Sequence, residues 1–409
     1  MNIKRFNADF GNSTGNFLID GYYFEIPTNI VEISSKKAEG MFVSPITEKN
    51  ELLDRLMIST GEKENEKFYL VGEFAQGHEI KTHVNQMNDK LTSIIPYANF
   101  LGAVAYYAIL KNPSEEKEIN VEIDNMKMML PIWILKKASK FSVAQNQMAA
   151  RFLGEHTVKV LTMGMERIIK IKVNNSVCKI ESEVARYAIK YKMVQEDKII
   201  KILPRANLSD KFTKCETVLC DFGGGSIDCV KLGEGLTPPK ARDSFKVIDI
   251  EPFLGWLETF RKEKVLQYFY SIKQIEKFLI NNYKKQKYIL EDPNTGKSYD
   301  FTSKFTEMLQ DYSDKLVPVI FNTFKETDRL LKFVYFGGES PVLKPYIKKT
   351  LLKFVTEKVA EENHIFLDDL LENDTSEVFK PTSRTINLTA LELLSISEVT
   401  KNKSSEKNE

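Results

Sequence analysis

The triplet Asp-Phe-Gly closes a short β-like run twice in this chain, at Asp9-Phe10-Gly11 and again at Asp221-Phe222-Gly223. The first copy opens into Asn12-Ser13-Thr14-Gly15 before the apolar run Phe17-Leu18-Ile19. The second opens into Gly224-Gly225-Ser226 before Ile227-Asp228-Cys229-Val230. A strand-turn-strand made twice, with an acid at the lip of each turn, predicts two facing half-sites closed around one phosphorylated ligand.

The residue types fit that chemistry. Backbone N–H groups converging from a tight turn hold a phosphate chain, and glycine lets such a turn form and approach the anion closely. Ser13, Thr14 and Ser226 add hydroxyl donors. A carboxylate beside a polyphosphate is repelled unless a divalent cation lies between them, so Asp9 and Asp221 imply Mg²⁺, which uses one or two carboxylates plus phosphate oxygens and waters. A third element, Phe333 to Pro341, ends a strand in Gly337-Gly338-Glu339. Ser340 is expected to cap a helix with Pro341 at its first position, whose N-terminus suits a nucleotide.

Charge and cysteine content narrow the partners. With 58 basic and 57 acidic side chains the formal net charge is +1, which gives no electrostatic case for direct nucleic-acid or membrane binding. Cys178, Cys215, Cys220 and Cys229 form no C-x-x-C pair and sit in apolar stretches, which reads as a reducing, cytoplasmic setting. The N-terminus runs into a strand without a secretory apolar core. Ile94 to Leu110 is too short and too interrupted to span a membrane, and a buried helix is expected after Pro96.

At ~150 residues per domain, 409 residues predict two to four units. The expected division is a first domain over 1–182, with a small insert at about 34–93. The second covers 183–400, with an insert at about 246–328, and a disordered Lys/Asn/Ser/Glu tail fills 401–409. Residues 1–33 read as a β-meander, and a lone strand is expected at Phe68–Glu73. Later come a strand near Met128–Leu135, helices over Val143–Gly154 and Glu183–Tyr191, and strands near 157–160, 168–173 and 177–180. A long aromatic-rich helical region spans 253–285, its aromatics read as core, and another helix runs from Ser303 to Leu331. His78 and His83 lie in a polar stretch and are expected to be exposed.

Taken in order, these elements resemble the actin/sugar-kinase/heat-shock-ATPase superfamily: two similar α/β domains, a phosphate hairpin from each, and an adenosine loop near the end. Asp9 to Thr14 is similar to the first phosphate motif, Asp221 to Asp228 to the second, and Phe336 to Ser340 to the adenosine motif. Ile180 to Tyr187 resembles the connecting helix. Val71-Gly72-Glu73-Phe74-Ala75 and Leu130-Pro131 bring the likeness nearest to the bacterial plasmid-segregation actins of ParM type, over roughly residues 3 to 395.

The resemblance implies an actin-like two-domain α/β fold, built from duplicated ribonuclease-H-like domains with small inserted subdomains. It implies a filament-forming hydrolase of ATP or GTP with Mg²⁺. The filament is a homopolymer that moves plasmid DNA through a DNA-binding adaptor on a centromere-like site. Asp9 and Asp221 would hold the hydrated metal and position water, with Glu181 as the catalytic glutamate. Gly11, Asn12, Ser13, Thr14, Gly223, Gly224, Gly225, Ser226 and Asp228 would surround the phosphates. Gly337, Gly338, Glu339, Lys273, Glu276 and Lys277 would line the nucleoside. The family's Pro before the glutamate is here Ile180, and Glu183 stands two residues on, so the base is Glu181 or Glu183. Glu339 replaces a small residue, which leaves the nucleobase open.

Rival readings are weaker. A protein kinase needs a glycine-rich loop, a Val-Ala-Ile-Lys strand and a His-Arg-Asp loop, and the sequence has none of them. Gly11-Asn12-Ser13-Thr14-Gly15 matches a nucleophile elbow formally, yet a strand and not a helix follows the serine. As a bland alternative, Glu181 is a helix-start carboxylate stabilised by the dipole. A metabolite kinase of the same superfamily is the alternative function.

Overall fold

A computed structural model of the chain describes residues 1–62, 64–76, 89–112, 116–197, 199–324, 329–371 and 376–405. It packs as two compact units: Met1–Ile202 with Asn387–Glu409, and Leu203–Ile386. The division falls after Ile202 and not at residue 182. The last helix, Ile386–Ser405, belongs almost wholly to the first unit. That helix carries the backbone of residues 401–405 on from a buried segment, so this part of the expected tail is helical; 406–409 lie outside the described residues, as do His78 and His83.

Unit 1 begins with the expected meander. Strands β1 (Asn2–Phe10), β2 (Thr14–Ile19) and β3 (Tyr22–Pro27) are antiparallel neighbours. The β2–β3 turn is Asp20-Gly21, both at positive φ (46° and 86°), the pairing a two-residue hairpin requires. Asp20 fixes it further by accepting from the N–H groups of Lys4 and Arg5. Next come β4 (Ile30–Ile33), β5 (Met57–Thr60) and β6 (Lys67–Val71). β5 escapes sequence reading because it is only four residues long, and Met57, Ile58 and Ser59 are all buried.

β7 (Glu118–Leu130) runs parallel to β1. It ends before Pro131, and Ile132–Lys137 is helical, so the strand expected to reach Leu135 stops five residues earlier; proline cannot donate to the ladder. β8 (Gly154–Val160), β9 (Arg167–Val173) and β10 (Ser176–Ile180) follow. β9 and β10 both pair with β7 in parallel, one after the other along it. The helix over Ile94–Lys111 starts two residues before Pro96, capped by Ser93, with the proline in its first turn where no N–H is missed. It is almost entirely buried, and Phe100 packs edge-on against Phe6 and Phe152. The expected helix Glu183–Tyr191 shrinks to Ala185–Lys190, because Tyr191 already opens the hairpin β11 (Tyr191–Glu196) and β12 (Ile199–Pro204).

Unit 2 repeats the topology of unit 1. β13 (Glu216–Phe222), β14 (Ile227–Leu232) and β15 (Phe245–Val247) are antiparallel neighbours. A small hairpin, β16 (Ile289–Glu291) and β17 (Ser298–Asp300), lies in the insert. β18 (Leu331–Phe336) and β19 (His364–Phe366) then extend the sheet in parallel, giving the order β15-β14-β13-β18-β19. Unit 1 has the matching order β3-β2-β1-β7, with β10 beyond β7. The duplication read from the two triplets is therefore a duplication of sheets.

The aromatic region after 253 does form core: Phe253, Phe260, Phe269 and Phe278 are buried with Phe305 and Tyr312. It is not one helix. Phe253–Phe260 runs into a π-helical turn at Arg261–Val265, and the chain restarts as Ile272–Asn282. Arg261 holds the break, paired to Glu258 through Nε and Nη2 at 2.6 and 2.7 Å, with Nη1 donating to Phe269 O at 2.9 Å. The helix Thr302–Phe324 does not reach Leu331 as expected, because Leu331 opens β18.

Candidate nucleotide-binding half-sites

In unit 1, the pairs Asp9↔Asn16 and Phe10↔Gly15 bring β1 and β2 to a turn over Gly11–Ser13. A Cβ on Gly11 would lie 2.4 Å from Thr14 O, so only glycine closes this turn. Thr28 occupies two carbonyls that would repel an anion: its Oγ1 donates to Gly11 O at 2.9 Å and its N–H to Ser13 O at 3.0 Å. Asp9 is buried at the strand end. Asn12 Oδ1 is buried without a hydrogen-bond partner among the described residues, as expected of a group that awaits a ligand or a water.

Glu181 reaches the same level from two strands away. Its N–H donates to Leu130 O at 3.0 Å, and continuing the β1–β7–β10 register sets Gly11, Pro131 and Glu181 in one row at the C-terminal ends of parallel strands. Two strand spacings make that about 10 Å between backbones. Ser182 follows at φ 67°, fully buried, a left-handed backbone that costs energy for a side-chain-bearing residue and is often found at functional positions. The two candidate bases now differ. Glu183 is engaged by Arg186 Nε at 2.5 Å, whereas Glu181 Oε2 is buried without a hydrogen bond, 3.8 Å from Lys90 Nζ.

In unit 2, Asp221↔Asp228 and Phe222↔Ile227 are register partners, and Gly223 N–H to Ser226 O at 3.1 Å closes the turn over Gly223, Gly224, Gly225 and Ser226. Asp221 and Asp228 are both buried. Leu254, at the start of its helix, props the turn by donating to Gly224 O at 3.0 Å, and a Cβ on Gly224 would meet Leu254 Cδ1 at 2.7 Å.

The third motif meets the second directly. β13 and β18 are parallel with Asp221 opposite Phe336, so Gly337 leaves its strand beside the hairpin at φ 96°. Glu339 N–H donates to Phe222 O at 3.1 Å. Glu339, not Ser340, is the residue before the helix Ser340–Leu351, and its side chain makes no cap bond. Ser340 and Pro341 are thus the first two helical residues. The Glu339 carboxyl turns inward and is buried near Gly224. Burial, and then the like charge of Glu276, push its pKa up to about 8, with Arg384 and Lys273 pulling the other way.

Helix Ile272–Asn282 supplies Glu276, buried, with Lys273 Nζ at 3.5 Å from it, while Lys277 is exposed and stands apart. Sequence reasoning missed two basic groups here. The Arg384 guanidinium lies over Gly338, 3.7 Å from where a Cβ would be, and Lys90 faces Glu181. Neither belongs to a motif, and no local signal points to them.

Comparison with known proteins follows this geometry. Residues 216–370 match the family model of the Alp7A C-terminal domain. The crystal structure of the actin-like protein Alp7A is 42% identical, with all of both chains covered and a TM-score of 0.87. The chain belongs to the Alp7A family of actin-like plasmid-segregation proteins. Bacillus thuringiensis ParM with AMPPNP has the same fold at 16% identity, over 96% of this chain and 98% of that one, with a TM-score of 0.59. So does the ParM of a 15-stranded filament from Clostridium botulinum, at 15% identity, 95% and 98% coverage and a TM-score of 0.60. No functionally curated protein matches the chain. The full-length likeness to Alp7A fits the actin-like reading and lends the metabolite-kinase alternative no support.

Proposed function

We propose that this Alp7A-family protein binds and hydrolyses a nucleoside triphosphate, ATP or GTP, with Mg²⁺, and polymerises into filaments under that control. The filaments would move plasmid DNA in the cytoplasm through a DNA-binding adaptor on a centromere-like site. The observation that carries the reading is the meeting of the second Asp-Phe-Gly turn with Gly337-Gly338 on adjacent strands, beside buried Glu276 and Glu339. Relatives of the same fold are described with ATP, ADP and AMPPNP and as a filament, which supports it further.

In this reading each unit contributes its own acid-tipped turn to nucleotide binding. Asp9 and Asp221 are acids at strand ends and suit a hydrated Mg²⁺, which takes few protein ligands; among the described residues no cluster of three acid, His or Cys side chains forms a closed metal cage. The metal would neutralise charge on the phosphates. Ser13, Thr14, Gly224, Gly225 and Ser226 would contact phosphate oxygens. Gly337, Gly338, Lys273 and Glu276 would border the nucleoside, and Glu181 would orient water and accept its proton. Light scattering with negative-stain microscopy, with and without ATP, GTP and Mg²⁺, tests the proposal: nucleotide-dependent filaments are expected. Absence of both filaments and hydrolysis in every condition would refute it.

A further inference from the structure

Outside the residues already given a role, Lys90 buries its ammonium group without a hydrogen bond among the described residues to explain it. Lys90 is 5% exposed, and its only ion pair among the described residues is with Glu181 Oε2 at 3.8 Å. That is beyond hydrogen-bond reach, and among the described residues Glu181 Oε2 accepts no hydrogen bond. Structural pairs in the same unit close properly: Arg5 Nε meets Glu392 at 2.9 Å and Lys127 Nζ meets Glu398 at 2.5 Å. Taking two charges out of water costs several kcal/mol per ion unless good contacts offset it. An open pair is a poor way to hold a fold together.

The placement of Lys90 is nevertheless enforced. Its turn is closed by Thr92 and Ser93 N–H groups donating to Asp89 O, and by Leu91 N–H donating to the Asp89 side chain. The Arg151 guanidinium clamps the turn from the other side, donating to Lys90 O and to Ser93 O. The backbone is thus fixed, the ammonium is held beside Glu181, and an ammonium has three donors and no acceptor. What such a group lacks is an acceptor within hydrogen-bond reach. Glu181 lies level with the Gly11 turn, where the first phosphate-binding half-site was assigned.

We infer that Lys90 is a phosphate-binding residue of this half-site: it rests on Glu181 and turns its donors to the terminal phosphoryl group of a bound nucleoside triphosphate. The move releases Glu181 Oε2 to accept a hydrogen bond from the attacking water. The inference rests on the proposed nucleotide hydrolysis. It adds that discrimination between triphosphate and diphosphate lies with a lysine supplied by the loop before helix Ile94–Lys111.

The test measures affinity for a fluorescent triphosphate and its diphosphate, and turnover at saturating triphosphate, for the wild type, Lys90→Met and Lys90→Gln. Triphosphate affinity is expected to fall roughly tenfold or more with diphosphate affinity nearly unchanged, and turnover to fall about 10²-fold. A role confined to folding would weaken both nucleotides alike. Should Lys90→Met not fold, Lys90→Gln, which keeps a polar side-chain end in place of the ammonium, carries the same comparison. If either folded variant keeps the wild-type ratio of triphosphate to diphosphate affinity, the inference is overturned. A wild-type protein that binds neither nucleotide would instead overturn the functional reading on which it rests.

Discussion

Gly337 and Asp221 touch so closely that position 337 admits no side chain: a Cβ there would lie 2.5 Å from Asp221 Oδ1 and 2.5 Å from Phe222 N. The glycine proposed to border the nucleoside therefore packs on the acid proposed to hold the metal, and one substitution disturbs both motifs. Gly337 also has φ 96°. Gly337→Ala should lose at least ~2 kcal/mol of stability from backbone strain and clash together, measured by chemical unfolding, and nucleotide binding with it. Gly296→Ala, at φ 66° with nothing within 4 Å, is the control and should lose about 1–2 kcal/mol while leaving nucleotide binding intact.

Asp221→Ala removes the acid at the lip of the second turn, and hydrolysis should disappear. Normal Mg²⁺-dependent turnover by the purified variant would show that the metal is held elsewhere.

The two glutamates after β10 are separated by their partners. Glu183 is held by Arg186 and Glu181 Oε2 has no hydrogen bond. Glu181→Gln should slow hydrolysis by roughly 10²–10⁴-fold with little effect on nucleotide affinity. Glu183→Gln should stay within a few-fold of wild type. The reverse order in single-turnover assays would move the base to Glu183.

Glu339 makes stability depend on pH. Its folded pKa is raised from the ordinary 4.5 to about 8 by burial and then by Glu276. The folded chain keeps a proton that the unfolded chain releases above 4.5. The contribution is complete below that value and is lost as pH rises toward 8, by about 1.4 kcal/mol per pH unit at most. Urea unfolding at pH 5 and pH 8 should show wild type losing stability relative to Glu339→Gln. An equal difference at both values would show that Glu339 is already ionised.

Much of this was legible from local chemistry. The two hairpins, the strands between 154 and 180 and the Gly337-Gly338 loop follow from short alternating runs closed by Gly, Ser and Asp, which act within a few residues. Other features depend on distant partners. The break after Phe260 is held by Arg261 reaching Phe269 O, and the short β5 is defined by its neighbours β6 and β8. Lys90 and Arg384 are brought to the candidate half-sites by tertiary structure, Lys90 through the distant Arg151, as isolated basic residues in unremarkable segments.

Glu392 gives the sharpest stability test, because it ties the chain's last helix to its first strand. One carboxylate oxygen accepts from Arg5 Nε at 2.9 Å and the other from Asn7 Nδ2 at 2.6 Å, and Ser395 Oγ completes the network by donating to Asn7 Oδ1 at 2.9 Å. Glu392 is 2% exposed, and burial raises its pKa although Arg5 opposes the shift. Glu392→Ala leaves a largely buried guanidinium and a buried amide without their acceptor, which should cost about 3–5 kcal/mol. A domain holds only ~5–15 kcal/mol in all. Glu392→Gln keeps the shape and an acceptor oxygen, so its loss should be smaller. Arg5→Met paired with Glu392→Met removes both charges and should recover much of the stability lost by Glu392→Ala. If the double variant is instead less stable than Glu392→Ala in urea, the network contributes through its charges and not merely by satisfying them.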